Sequence, residues 1–190
     1  PNGKTIITIT GGIPGTYEPK PNDQFGIMAQ SFNRNEPVRD FTVEVSYQEV
    51  KDYIKEQRPN QPVQIIGHSW GGSLALQYAN RLEKEGIVID TLITIDPYQR
   101  NQNDLLNPAD TSPTEAQTSG VNINLYQTNP DSDTRARGQS KGNMLNLNVG
   151  AINNMVANIN HHNIMGQPYT HNIVSGTVNL IYDNSVRKNW

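Results

Sequence analysis

A short apolar segment, a glycine-rich turn and a helical pattern follow one another in the middle of the chain. The segment Val63 to Ile66 has the composition of a buried strand. The pentapeptide Gly67-His68-Ser69-Trp70-Gly71 comes next. Apolar residues then recur at helical spacing from Leu74 to Leu82. A strand that turns directly into a helix is the building unit of α/β proteins, so this segment constrains the fold class most strongly.

The same alternation of strand and helix continues on both sides of this segment. Strands are predicted for Lys4 to Thr10, Phe41 to Val45, Ile87 to Ile95 and Val121 to Tyr126, and helices for Ser46 to Arg58 and Tyr169 to Ile181. The Asn-rich stretch from Asn143 to Asn163 is predicted to be a long ordered loop. Helices between strands predict a mostly parallel sheet. A length of 190 residues fits one domain over residues 1–190 without a large cap domain.

Composition excludes several classes of function. The net charge is -3 and the basic residues are scattered, so a nucleic-acid partner is not expected. The chain has no cysteine, which excludes thiolate catalysis, zinc fingers and iron-sulfur clusters. A metal site built from His161, His162 and His171 is not expected, because the two adjacent histidines should point apart and no nearby carboxylate completes a set of ligands. No apolar run approaches the length of about 20 residues that a membrane-spanning helix needs.

The pentapeptide matches the pattern G-x-S-x-G, in which glycines leave room for a strained turn that exposes the hydroxyl of Ser69. A serine hydroxyl becomes nucleophilic when a neighbouring base accepts its proton, and histidine suits that role at neutral pH. His68 lies inside the turn and is assigned to packing or loop support, and His171 falls within the predicted terminal helix. His161 and His162, which end the irregular loop, are therefore the candidate bases.

The base also needs an acidic group that fixes its tautomer and orientation. Asp96 comes directly after the predicted strand that ends at Ile95. This position is the sheet edge at which α/β proteins collect their functional loops. Asp131 and Asp133 follow the next predicted strand and are the alternatives. Asp96 is favoured.

The segments Ile65 to Gly72 and Thr94 to Pro97 together resemble small lipase-like members of the α/β-hydrolase superfamily. The resemblance implies a three-layer fold and a serine hydrolase that cleaves carboxylic esters, often lipid esters, through an acyl-serine intermediate. Superfamily members order their residues as serine, acid and histidine, which places the acid and the base after Ser69. The spacing typical of the family, a histidine three residues before Ile164, favours His161 over its neighbour.

An acyl transition state also needs hydrogen-bond donors for its oxyanion. The residue after the nucleophile usually supplies one of them, and this residue is Trp70. The loop that follows an early strand usually supplies the second, and Gly12 and Ile13 occupy that position here. No cofactor is implied by this chemistry.

The expected substrate is an ester or a lipid, with transient contact to a membrane surface. An acyltransferase or thioesterase would use the same three residues, and a catalytically inactive binding domain could keep the same fold. The chain starts at Pro1 without Met or a signal peptide. We therefore expect a part of a larger exported protein, with a neutralising protein partner in case it is a toxin.

Overall fold

A computed structural model describes residues 4–11, 28, 38–57, 61–97, 115–129, 139–152 and 158–179. The elements in chain order are β1 (Thr5–Thr10), β2 (Val38–Thr42), α1 (Tyr47–Glu56), β3 (Val63–His68), α2 (Trp70–Lys84), β4 (Ile89–Ile95), β5 (Val121–Tyr126), β6 (Leu145–Asn148), a 3-10 turn (Ile164–Gly166) and α3 (Pro168–Asn179). The strands form one sheet in the order β2-β1-β3-β4-β5-β6. Every pair of neighbouring strands is parallel, as the alternation in the sequence predicts.

Apolar side chains cover both faces of this sheet. Successive residues of a strand point to opposite faces, so the neighbours Ile6 and Ile7 of β1 belong to two separate clusters. Leu82 of α2 packs in the cluster that contains Ile7, together with residues of α1. Val174 of α3 packs in the cluster that contains Ile6. The sheet is therefore the middle of three layers, and the predicted α/β fold class is confirmed.

Specific contacts hold the first turn of α1 and the last turn of α3. Helix α1 begins after a capping box, in which the backbone N–H of Glu49 donates to Ser46 Oγ and the Glu49 carboxylate accepts from the Ser46 N–H. The buried ammonium group of Lys4 donates to the carbonyl oxygen of Val178 in the last turn of α3. Among the described residues, no helix has the length and apolar character required to cross a bilayer.

Strands β2 and β6 depart from the sequence prediction. Strand β2 covers Val38–Thr42 rather than Phe41 to Val45, because the N–H of Val45 donates back to the carbonyl of Thr42 and closes a turn there. Strand β6 lies in the Asn-rich stretch that was predicted to be a loop. It forms because its backbone pairs with β5 and the amide of Asn124 donates to the side-chain oxygen of Asn146. Tertiary pairing thus outweighs the low strand propensity of asparagine.

Helix α2 crosses β1 so closely that only glycine fits at the crossing. A Cβ atom built on Gly71 would lie 2.0 Å from the carbonyl oxygen of Ile9. We expect Gly71→Ala to lower the free energy of unfolding by about 3 kcal/mol or more, since neither backbone can yield easily. The matched control is Gly176→Ala on the exposed side of α3, where a Cβ atom meets nothing within 4 Å.

The control substitution is expected to raise the free energy of unfolding by about 0.5–1 kcal/mol, because alanine has the higher helix propensity. Urea denaturation of the two variants and the wild type measures both changes. Equal stability of the two variants would mean that α2 and β1 do not approach each other as described.

Candidate active site

Ser69 occupies the sharp turn between β3 and α2. Its backbone angles are φ 57° and ψ -127°, a conformation that residues other than glycine rarely adopt. Two hydrogen bonds hold this turn in place: the Ser69 N–H donates to the carbonyl of Ile95 at 3.0 Å, and the Ser69 carbonyl accepts from the N–H of Gly72 at 3.0 Å. The strain is typical of a position that presents its side chain for function.

The ring of His161 connects Ser69 to Asp96. Its Nε2 atom lies 2.7 Å from Ser69 Oγ, and its Nδ1 atom lies 2.8 Å from Asp96 Oδ2. A carboxylate only accepts, so the partners assign the proton to Nδ1 and leave Nε2 free to accept from the serine hydroxyl. His161 is 6% exposed and Asp96 is 0% exposed. The favoured sequence candidates thus lie together, whereas Asp131 and Asp133 lie outside the described residues.

Asparagine side chains build the turn that carries His161. The side-chain oxygen of Asn160 accepts from the backbone N–H groups of His162 and Asn163, at 2.9 and 3.1 Å. In return, the side-chain oxygen of Asn163 accepts from the N–H of Asn160 at 2.8 Å. These bonds leave the ring of His162 exposed and edge-on to that of His161, with ring centroids 5.7 Å apart. Part of the Asn enrichment therefore has a direct role in placing one histidine and not its neighbour.

Gln127 is a further member of the site, and its sequence context did not single it out. Its amide nitrogen donates to Asp96 Oδ2 at 3.0 Å, and its amide oxygen accepts from the N–H of Asn129 at 2.7 Å. The backbone also ties the two strand ends together, since the N–H of Asp96 donates to the carbonyl of Leu125 at 2.7 Å. Gln127 follows β5 just as Asp96 follows β4, and parallel neighbours end at the same sheet edge. That shared position is the signal that could have identified it.

The end of β1 passes directly against Ser69. A Cβ atom on Gly11 would lie 2.4 Å from Ser69 Cβ and 3.0 Å from Ser69 Oγ. Trp70 is the first residue of α2, where the backbone N–H groups of a helix point out of its N-terminus. The other two predicted oxyanion donors, Gly12 and Ile13, lie outside the described residues. Only glycine fits at position 11, because a side chain there would collide with Ser69.

Three histidine rings lie next to one another at this site. The His68 ring stacks on the His161 ring, and the His162 ring meets it edge-on. Burial, followed by the positive charge that His161 can carry, lowers the pKa of His68 to about 4. Within the ranges that the structure describes, no group of three or more histidine and acidic side chains is arranged to hold a metal ion.

The fold resembles that of a solved structure. Est1E from Butyrivibrio proteoclasticus superposes with a TM-score of 0.53 over 94% of this chain and 86% of that chain, at 13% sequence identity. This likeness shows a shared α/β-hydrolase fold.

Two curated relatives match short segments of the sequence. N-(5-amino-5-carboxypentanoyl)-L-cysteinyl-D-valine synthase of Amycolatopsis lactamdurans is 38% identical over 47 residues, which are 25% of this chain and 1% of that protein. Surfactin synthase subunit 3 of Bacillus subtilis is 35% identical over 49 residues, which are 26% of this chain and 4% of that protein. The matched part thus spans a very small share of these relatives' length.

A family model supplies the broader match. The model described as Thioesterase domain matches residues 23–137, more than half of the chain. The matched region contains Ser69 and Asp96 but ends before His161. The chain therefore belongs to the Thioesterase domain family and has the α/β-hydrolase fold.

Proposed function

We propose that this chain hydrolyses acyl thioesters or esters through a covalent acyl intermediate on Ser69. The single observation that carries the proposal is the position of the His161 ring, 2.7 Å from Ser69 Oγ and 2.8 Å from Asp96 Oδ2. A hydroxyl, an imidazole and a carboxylate in hydrogen-bonded series can activate a serine at neutral pH. Membership of the Thioesterase domain family supports the same chemistry.

Acylation begins when Ser69 Oγ attacks the carbonyl carbon of the substrate and its proton passes to His161 Nε2. The carbonyl oxygen becomes an oxyanion, for which the backbone N–H of Trp70 and the segment after β1 supply hydrogen bonds. Collapse of the tetrahedral intermediate that carries this oxyanion breaks the bond between the acyl carbon and the leaving group. The departing thiolate or alkoxide takes the proton from His161, and Ser69 is left as an acyl ester.

Deacylation repeats these steps with water as the nucleophile. His161 Nε2 accepts a proton from water while the water oxygen attacks the acyl carbon. The bond between this carbon and Ser69 Oγ then breaks, Oγ takes the proton back, and the carboxylic acid leaves. The Asp96 carboxylate accepts from His161 Nδ1–H in both half-reactions, which orients the imidazole and stabilises the imidazolium that forms.

The family match favours thioesters over the oxygen esters that were expected first from the sequence. A thiol is more acidic than an alcohol, so a thiolate leaves with less assistance from the general acid. Cleavage of lipid esters, transient contact with a membrane surface, delivery as part of an exported protein and a neutralising partner stay predictions from the sequence. Acyl transfer to an acceptor other than water needs the same three side chains and differs only in what attacks the acyl-serine.

The test compares thioesters and oxygen esters that carry the same acyl group, with wild-type protein and Ser69→Ala in parallel. We expect the wild-type rate to exceed that of the variant by roughly three orders of magnitude or more, with the higher kcat/KM for the thioester. Equal rates for the two proteins would contradict the proposal and favour a binding domain. Adding an alcohol separates the two enzyme classes, since transfer yields a new ester and hydrolysis yields only free acid.

A further inference from the structure

We propose that His68 is a positioning residue that holds His161 in its productive orientation by contacting both its ring and its main chain. The inference rests on the proposed function and deepens it, since it concerns how the base of the same site is held. The sequence alone assigned His68 to packing or loop support. The structure provides two separate contacts from this side chain to one residue.

The first contact is between the two rings. The centroids of the His68 and His161 imidazoles lie 5.2 Å apart, and the ring planes differ by 24°. This is an offset stack of the kind that planar side chains favour. Hydrogen bonds at the ring nitrogens of His161 fix where its edge points, but they allow the ring to tilt about the line that joins them. A flat neighbour against the ring face restricts that tilt.

The second contact is to the main chain. His68 Nε2 lies 3.3 Å from the carbonyl oxygen of His161, across 93 residues of sequence. A carbonyl oxygen only accepts, so Nε2 of His68 carries the proton and donates it. The bond attaches the loop that carries His161 to the end of β3. Because Ser69 follows His68 directly, the same turn that presents the nucleophile also supports the base.

The charge state of His68 suits this role. Its pKa of about 4 leaves the ring neutral at pH 7. The titratable groups that act on it are His161, Asp96 and His162. A neutral ring can face His161 while that residue becomes an imidazolium during the reaction, whereas a cation at this position would repel it. A lysine or arginine would therefore be a poor replacement even if it reached the same carbonyl.

Three substitutions separate the two contacts. His68→Phe keeps a flat ring but removes the donor, His68→Gln keeps an amide donor but removes the ring, and His68→Ala removes both. We expect His68→Ala to lower kcat by roughly 100-fold, because a small misplacement of a reacting group has an effect of that order, and to leave KM nearly unchanged. His68→Phe and His68→Gln should each recover part of this loss.

The matched control is His162→Ala, which removes an imidazole that meets the His161 ring at a similar centroid distance, 5.7 Å. That ring is exposed and lies edge-on. We expect its removal to leave kcat close to the wild-type value. Thermal unfolding of each variant identifies losses of activity that come only from unfolding.

A second measurement does not depend on hydrolysis. Proton NMR of the full chain should show a low-field resonance from His161 Nδ1–H, which is bound to Asp96 at 2.8 Å. This resonance should broaden or disappear in His68→Ala and persist in His162→Ala. An unchanged resonance together with an unchanged kcat in folded His68→Ala would overturn the inference. If the wild-type protein hydrolyses no substrate, the proposed function fails, and the resonance alone still decides whether His68 holds His161.

Discussion

Replacing His161 with alanine is expected to lower kcat/KM by roughly four to six orders of magnitude. Its Nε2 atom lies 2.7 Å from Ser69 Oγ, and in the proposed mechanism it accepts the proton of the first step and donates a proton to the leaving group. Without it, the hydroxyl stays protonated and the leaving group departs unprotonated. The loss should appear mainly in kcat, since His161 acts on the reacting atoms. Steady-state assays with the thioester substrate measure it.

His162→Ala is the matched control for this prediction. The two histidines are adjacent in sequence, but the ring of His162 is exposed and makes only an edge-on contact with that of His161. We expect this variant to retain most of the wild-type activity. A larger loss in His162→Ala than in His161→Ala would show that the base is the other histidine, which the sequence left as the alternative.

Asp96→Asn is expected to lower kcat by up to about 10⁴-fold, the loss that this change gives in hydrolases of serine, histidine and aspartate when the wrong histidine tautomer forms. The substitution removes the negative charge that stabilises the imidazolium of His161. An asparagine whose amide nitrogen faced Nδ1 would also force the proton onto Nε2, which then could not accept one from Ser69. Gln127 donates to the same oxygen of Asp96 and so favours an oxygen atom, rather than an amide nitrogen, at that position of the asparagine. Loss of charge should therefore account for much of the effect.

Asp90→Asn is the control for removing a buried carboxylate, since Asp90 lies within β4 and Asp96 directly follows that strand. Asp90 is 3% exposed and lies at the opposite end of β4 from Asp96. We expect its substitution to change kcat little, as measured with the same substrate. A loss below tenfold in Asp96→Asn would contradict the assignment and return Asp131 and Asp133 as the candidate acids.

The candidate nucleophile and the fold class could both be proposed from the sequence, because each depends on a local pattern. The strand at Val63 to Ile66, the glycines around Ser69 and the following helix are contiguous in sequence, and each has a distinct composition. The choice between His161 and His162 could only be made on spacing typical of the family. In the structure, the difference between the two rings depends on the reciprocal hydrogen bonds of Asn160 and Asn163, which turn one ring inward and leave the other exposed.

The supporting residues could not be predicted, because their contacts connect distant parts of the chain. Gln127 reaches Asp96 across 31 residues of sequence, and His68 reaches His161 across 93. Its place after β5 puts Gln127 at the same sheet edge as Asp96, but nothing in the local sequence shows that the two side chains meet. Strand β6 was missed for a related reason, since its pairing with β5 is a tertiary contact and asparagine disfavours strands.

The most direct test of the central claim is to locate the covalent adduct formed with a fluorophosphonate, which reacts with activated serine hydroxyls. Mass spectrometry of proteolytic peptides should find the added mass on Ser69 alone. The adduct should be absent in Ser69→Ala and should form far more slowly in His161→Ala. Labelling of the wild-type protein at another residue, or at the same rate in His161→Ala, would contradict the claim that His161 activates Ser69.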